Sequence, residues 1–204
     1  MLGHGMFARR WPRAPHGLID AIVAAAPTVL ETYKINTPRR LAHFMAQVSH
    51  ECGGGTITEE NLRYSAVRMT QVWPSRFRTV AAAQPYAFNP KALANKVYNG
   101  RMGNRAGTDD GWNYRGRGLI QITGRDGYQQ VGKVAGLDLV ASPSLANDPK
   151  SALEVAAAFW TWKRLNVVAD TDNLTAVTRI VNGGTTGLAD RQVWLNRWKA
   201  ELGA

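Results

Sequence analysis

The chain has 204 residues, 45% of them apolar, which is enough to bury a core without help from metals or disulfides. Its mean hydropathy of −0.27 and the lack of any apolar run of about 18 residues exclude a membrane-spanning helix. Twenty-five basic residues against 15 acidic ones give a formal net charge of +10, which draws the chain to polyanions; the basic residues are scattered rather than gathered in one arm or recognition helix, so nucleic acid is not the expected partner.

The opening stretch, MLGHGMFARRWPRAPHG, is basic and broken by prolines, and it has neither the apolar segment nor the cleavage site of a secretory signal. Residues 1–15 are read as a basic extension of one domain spanning 1–204. Leu18, Ile19, Ile22, Val23, Val29 and Leu30 predict a helix over 16–33 that Pro27 bends or splits. Thr37 and Pro38 supply an N-cap and a first-turn proline for the next helix, whose stripe of Leu41, Phe44, Met45 and Val48 runs on to Glu51. Gly53, Gly54 and Gly55 then end it. The sole cysteine, Cys52, has no partner for a disulfide and is expected to be a small buried hydrophobe in a fold that forms under reducing conditions.

Further on, Ser65 opens a short helix to Val72 or Trp73, and Asn89 with Pro90 opens another that stops at Gly100. Residues 100–124 are rich in glycine and arginine and read as an extended loop passing into GLIQIT, a brief strand. Asp148 with Pro149 starts a strong helix through Trp162, and Asn173–Val181 and Ala189–Leu202 complete the set. No internal repeat or linker divides the chain. The expected fold is mainly α, a single domain with at most a short β element.

Glu51 stands in the last turn of its helix, facing the negative end of the dipole and next to an apolar stripe, both of which disfavour a charged carboxylate. Glu59 and Glu60 follow in a polar stretch that favours the ionised form. Two carboxylates in contrasting surroundings are the working pair of glycoside hydrolysis, one delivering a proton and the other activating water or attacking the sugar. A solvated helix end has the same local pattern, so these residues alone leave both readings open.

Two further segments add context: WNYRGRGLIQITG at 112–124 and RIVNGG at 179–184. With His50 and Glu51 before the glycines, Asn113–Thr123 in the middle and Val181–Gly184 near the end, the chain resembles the glycoside hydrolase family 19 chitinases, and within them the phage and prophage endolysins. The resemblance implies a lysozyme-like or chitinase-like α domain with a central substrate cleft. It makes Glu51 the general acid and favours Glu60 over Glu59 as the general base. Thr123 falls where a hydroxyl helps to hold the attacking water, and Gln121 and Asn182 fall where side-chain amides bind sugar. Arg179 and Arg191 match arginines that pair with the acids behind the cleft, and His50 is a packing or hydrogen-bonding support. Inversion of the anomeric centre is implied, which requires about 6.5–9.5 Å between the two carboxyl groups.

Tyr64, Trp112 and Tyr114, with Trp73, flank the motifs and are candidates for stacking on sugar faces, whereas Phe159, Trp160, Trp162, Trp194 and Trp198 recur at helical spacing and read as core. No cluster of histidine, cysteine and acid has metal-ligand spacing, so neither metal nor other cofactor is expected. The resemblance implies a protein that is made in the host bacterial cytoplasm and released to the wall, and an enzyme acting on a meshwork has no need to assemble, so a monomer is expected. There it would act on the peptidoglycan glycan strand, aided by attraction to the anionic envelope and without inserting stably into membrane. A chitinase acting on N-acetylglucosamine polymers and a non-catalytic basic protein that binds wall or nucleic acid are the competing readings.

Overall fold

The computed structural model describes residues 2–204, and helices carry nearly all of the regular structure among them. Helix α1 (His4–Arg10) is followed by α2 (His16–Thr32), which accommodates Pro27 within one continuous element. Pro27 removes one backbone donor, but Ile22, Ala26, Val29 and Leu30 all bury against the core and hold the helix together across it. In α3 (Pro38–Glu51), Thr37 Oγ1 accepts a hydrogen bond from the Arg40 amide at 3.2 Å, the expected cap.

Ser65 caps α4 (Ala66–Val72) and Thr79 caps α5 (Val80–Ala83), and Asn89 caps α6 (Pro90–Tyr98). After α7 (Asp110–Asn113) and α8 (Arg125–Ala135), Asp148 caps α9 (Pro149–Trp162). The chain ends through α10 (Leu165–Asp170), α11 (Leu174–Asn182) capped by Asn173, and α12 (Leu188–Leu202). The GLIQIT segment forms no strand. Only isolated antiparallel bridges join Arg117 to Glu59 and to Ile122, because Gln121 takes a left-handed φ of 54° and its amide turns back toward the Gly118 carbonyl at 3.3 Å.

Two apolar clusters result. The larger joins the faces of α2, α3, α8, α9 and α12 around Phe44, Tyr128, Trp160 and Trp198, and α3 packs along α12 while α9 packs on α2 and α8. The smaller gathers Leu62, Met69, Phe77, Leu93 and Val97 from the α4–α6 region. The basic opening segment belongs to the larger cluster, since Leu2, Phe7 and Trp11 are buried in it. Trp11 Nε1 and Trp198 Nε1 both donate to Ser49 Oγ, at 2.9 and 2.8 Å, tying α1 and α12 to the C-terminal end of α3. Among the described residues no helix is long and apolar enough to cross a membrane.

Candidate active site

The glycine run does end α3, at Glu51, and Gly53, Gly54 and Gly55 all take positive φ. Gly55 also has no room for a side chain: a Cβ there would stand 2.7 Å from the Ala14 Cβ and 2.9 Å from the Trp11 ring. The turn leaves Glu51 on the wall of a cleft of about 820 Å³ that is also lined by Glu60, Gln121, Thr123 and Asn182.

Helix α12 grips the end of α3 by two adjacent pairs. His50 Nδ1 lies 2.6 Å from Asp190 Oδ2, and the Arg191 guanidinium, 1% exposed, donates from Nη2 to Glu51 Oε1 at 2.5 Å and from Nη1 to Gln47 Oε1. Gln47 in turn donates to Thr178 Oγ1 at 3.3 Å. The surroundings of Glu51 therefore differ from the apolar niche its sequence position predicts. A fully desolvated guanidinium holds one carboxyl oxygen, and no hydrogen bond engages Oε2 among the described residues.

Glu60 is held by neutral donors. Tyr98 OH donates to Oε1 at 2.6 Å, the Gly116 amide donates to Oε2 at 3.1 Å, and the Glu60 amide donates to the Gly116 carbonyl at 2.9 Å. A Cβ on Gly116 would lie 2.9 Å from Gln121 Oε1 and 3.3 Å from Glu60 Cβ, so a side chain here would push the Gln121 amide aside and crowd Glu60. Burial, then the charge of Glu60, pushes the Tyr98 phenol well above its ordinary range, and the hydroxyl remains a donor.

Glu59 is engaged elsewhere, pairing with Arg115 and, at 2.9 Å, with Arg117 Nε, and it does not line the cleft. These arginines are themselves buried. Arg117 donates to Tyr128 OH at 3.2 Å, and Tyr128 OH donates to the Arg115 carbonyl at 2.7 Å. Of the two acids, it is Glu60 that reaches the cleft.

Gln121 Nε2 donates to the Gly118 carbonyl at 2.9 Å, and Thr123 Oγ1 donates to the Gln121 carbonyl at 3.0 Å. Both sit on the short strained segment that could not become a strand. Asn182 closes α11 and is exposed to the cleft.

Other expected members lie apart. Tyr114 is 5% exposed and donates to the Val140 carbonyl at 3.1 Å, so it is a core residue. Trp112 packs against the smaller cluster under the Arg115 guanidinium, 3.5 Å from its ring centroid, and Tyr64 packs edge-on against Trp73. None of the three lines the cleft. Arg179 is exposed in the last turn of α11 and forms no ion pair among the described residues, leaving Arg191 as the cation behind the acids.

Besides Tyr98, the aromatics that line the cleft are Phe159 and Trp162, read from sequence as core, with Lys163 Nζ 3.8 Å from the Trp162 ring centroid. Their i, i+3 spacing puts them on one face of α9, away from buried Trp160. Phe159 is buried in the larger cluster, as the sequence reading has it, and Trp162 packs against that cluster while also lining the cleft. Tyr98 was missed as well, and nothing local marks it, because α6 meets Glu60 only through the tertiary fold.

The family model for Glyco_hydro_19, described as chitinase class I, matches residues 17–173. The chain belongs to glycoside hydrolase family 19. This glycoside hydrolase is 35% identical over 192 residues to a glycosyl hydrolase family 19 domain-containing protein of Haemophilus influenzae, covering 94% of the chain and 92% of that relative. It is 32% identical over 151 residues to a basic endochitinase of Vitis vinifera, covering 70% of the chain and 40% of the plant protein. The chain thus spans well under half of that relative's length. Chitinase C from Streptomyces griseus HUT6037 superposes with a TM-score of 0.59 at 22% identity, over 99% of this chain and 92% of that one. At such identity the likeness shows the fold, a mainly helical chitinase architecture.

Proposed function

We propose that this glycoside hydrolase cuts the glycan strand of bacterial peptidoglycan with inversion, using Glu51 as general acid and Glu60 as general base. The observation that carries the assignment is that both carboxylates line one cleft in contrasting hydrogen-bond settings. Glu51 Oε2 gives its proton to the bridging oxygen as the glycosidic bond breaks, and the carboxylate that forms is stabilised by Arg191 as its charge develops. Glu60, fixed by Tyr98 and Gly116, takes a proton from water attacking the opposite face of the sugar, with the Thr123 hydroxyl orienting that water. Gln121 and Asn182 hold sugar hydroxyl and acetamido groups.

The peptidoglycan assignment is supported by the net charge of +10, which favours encounter with an anionic envelope. Lys163, the basic residue on the cleft wall, supports it too, facing a substrate that bears peptide carboxylates. A fold with one buried cysteine and no disulfide is compatible with accumulation as a monomer in the host cytoplasm before release to the wall, the life of a phage endolysin. The second reading is chitin hydrolysis, favoured by relatives named as endochitinases.

Release of reducing ends from purified peptidoglycan, compared with chitin oligomers, distinguishes the two. Glu51→Gln and Glu60→Gln are each expected to lower turnover by about 10²–10⁴-fold with the fold intact. Undiminished hydrolysis by Glu51→Gln would refute the mechanism, and a preference for chitin oligomers would refute the substrate. Nuclear magnetic resonance of the first-formed anomer tests inversion.

A further inference from the structure

A second cavity, of about 420 Å³, lies behind the glycine turn and is lined by residues of the opening segment and of α12. Four guanidinium groups line it: Arg9, Arg10, Arg13 and Arg197. No carboxylate is among its lining residues, in contrast to the catalytic cleft with Glu51, Glu60 and Asp126. The one acid at its edge, Glu201, pairs with Arg9 and Arg10, each at 2.7 Å. Arg13 and Arg197 have no carboxylate partner among the described residues, and Arg10 Nε is buried without a hydrogen-bond partner. Four cations therefore face one anion.

The cavity also has an indole wall. Trp11 is fixed by its hydrogen bond to Ser49, and the Trp194 ring carries the Arg197 guanidinium 5.1 Å from its centroid. Forked guanidinium donors match the oxygens of a phosphate, and a local excess of positive charge favours the most highly charged anion available. The volume accommodates a phosphate together with the small polyol to which it is esterified, which the partly exposed Trp194 indole would cover.

We propose that this cavity binds the phosphate groups of a polyol-phosphate polymer and so tethers the enzyme to a phosphorylated surface while the carboxylate cleft works on glycan. The site is separate from the hydrolytic residues and does not depend on their assignment. A water-borne polymer is favoured over a membrane because Trp11 is buried and no large exposed apolar residue is among those lining the cavity.

The test uses the full chain, with tryptophan fluorescence and calorimetry as readouts, and glycerol 3-phosphate, inorganic phosphate, poly(glycerol phosphate) and phosphatidylglycerol-doped phosphatidylcholine vesicles as probes. Arg13 and Arg197 are exposed, so Arg13→Ala/Arg197→Ala should fold normally. That variant is expected to bind the polymer about tenfold more weakly or worse, with inorganic phosphate competing in the parent chain. A matched loss of charge at exposed Arg76→Ala/Arg78→Ala should weaken binding by less than about threefold. Equal weakening in the two double variants would overturn the site in favour of diffuse attraction. Binding to vesicles but not to polymer would overturn the assigned ligand.

Discussion

Arg191 reaches out of α12 with a side chain that is almost wholly buried and sets its Nη2 2.5 Å from Glu51 Oε1. The last turn of α3 is thereby fixed by a residue 140 positions later in the chain. Replacing Arg191 by methionine keeps most of its volume but strands Glu51 and Gln47. Removing one partner of a buried charged network leaves the other uncompensated, so Arg191→Met is expected to lose about 2–4 kcal/mol of stability in urea unfolding. Its turnover should fall at least about tenfold under conditions where it is still folded.

The phenol of Tyr98 donates to Glu60 at 2.6 Å. Tyr98→Phe deletes that bond and little else, so KM should be nearly unchanged and kcat should fall about 10–100-fold, with a stability loss near 1 kcal/mol. Because burial and Glu60 push the phenol up, its proton stays in place at neutral and mildly alkaline pH, and the rate profile should show no limb from it. An increase in KM with unchanged kcat would place Tyr98 in substrate binding instead.

Asp110 anchors the loop before α7, accepting from the Arg105 side chain and, at 2.9 Å, from the Arg105 amide. The Arg105 hydrogen bond holds its carboxyl at about 2, below the ordinary 3.8. A depressed acid stabilises the fold above its unfolded value and loses that contribution as pH falls through its folded one. Asp110→Asn should therefore cost about 1–2 kcal/mol at pH 6, reduced by solvent screening of the exposed Arg105 guanidinium. Urea titrations of parent and variant should converge as pH falls from about 4 towards 2. A gap that stays constant over that range would contradict the ion-pair account.

Lys163 lies over Trp162 on the cleft wall. If the acidic peptide stems of peptidoglycan pass this point, Lys163→Gln should reduce kcat/KM on peptidoglycan about 3–10-fold and on neutral chitin oligomers less than about twofold. Equal losses on both substrates would show that the residue acts through Trp162 rather than through charge.

Most capped helices were legible because capping is local chemistry, although the short α5, capped by Thr79, was not read. Thr37 with Pro38, Ser65, Asn89 with Pro90, Asp148 with Pro149 and Asn173 each named a start that the structure has within a residue. Helix α8 was missed although Tyr128 and Val131 bury one face, for it begins after Gly124 with no side-chain cap. α1 and α10 have no side-chain cap either. GLIQIT has the composition of a strand, but Gln121 adopts a turn conformation there because the segment folds back towards Glu60 and Gly118, a demand set by the tertiary fold. In the site, Glu51, Glu60, Gln121, Thr123 and Asn182 came from motifs and do share the cleft. Tyr64, Trp112 and Tyr114 lie near those motifs in sequence, and nearness does not say which face of the backbone a ring occupies.

Cys52 is fully buried, accepts the Gly55 amide at its sulfur at 3.1 Å, and has its thiol pushed up to about 12, chiefly by burial. A thiol so shielded is a poor target for maleimides and oxidants. The native chain is accordingly a silent background for labelling: one cysteine introduced on an exposed position such as Arg13 would take a dye or spin probe alone, with no need to mutate the residue beside Glu51.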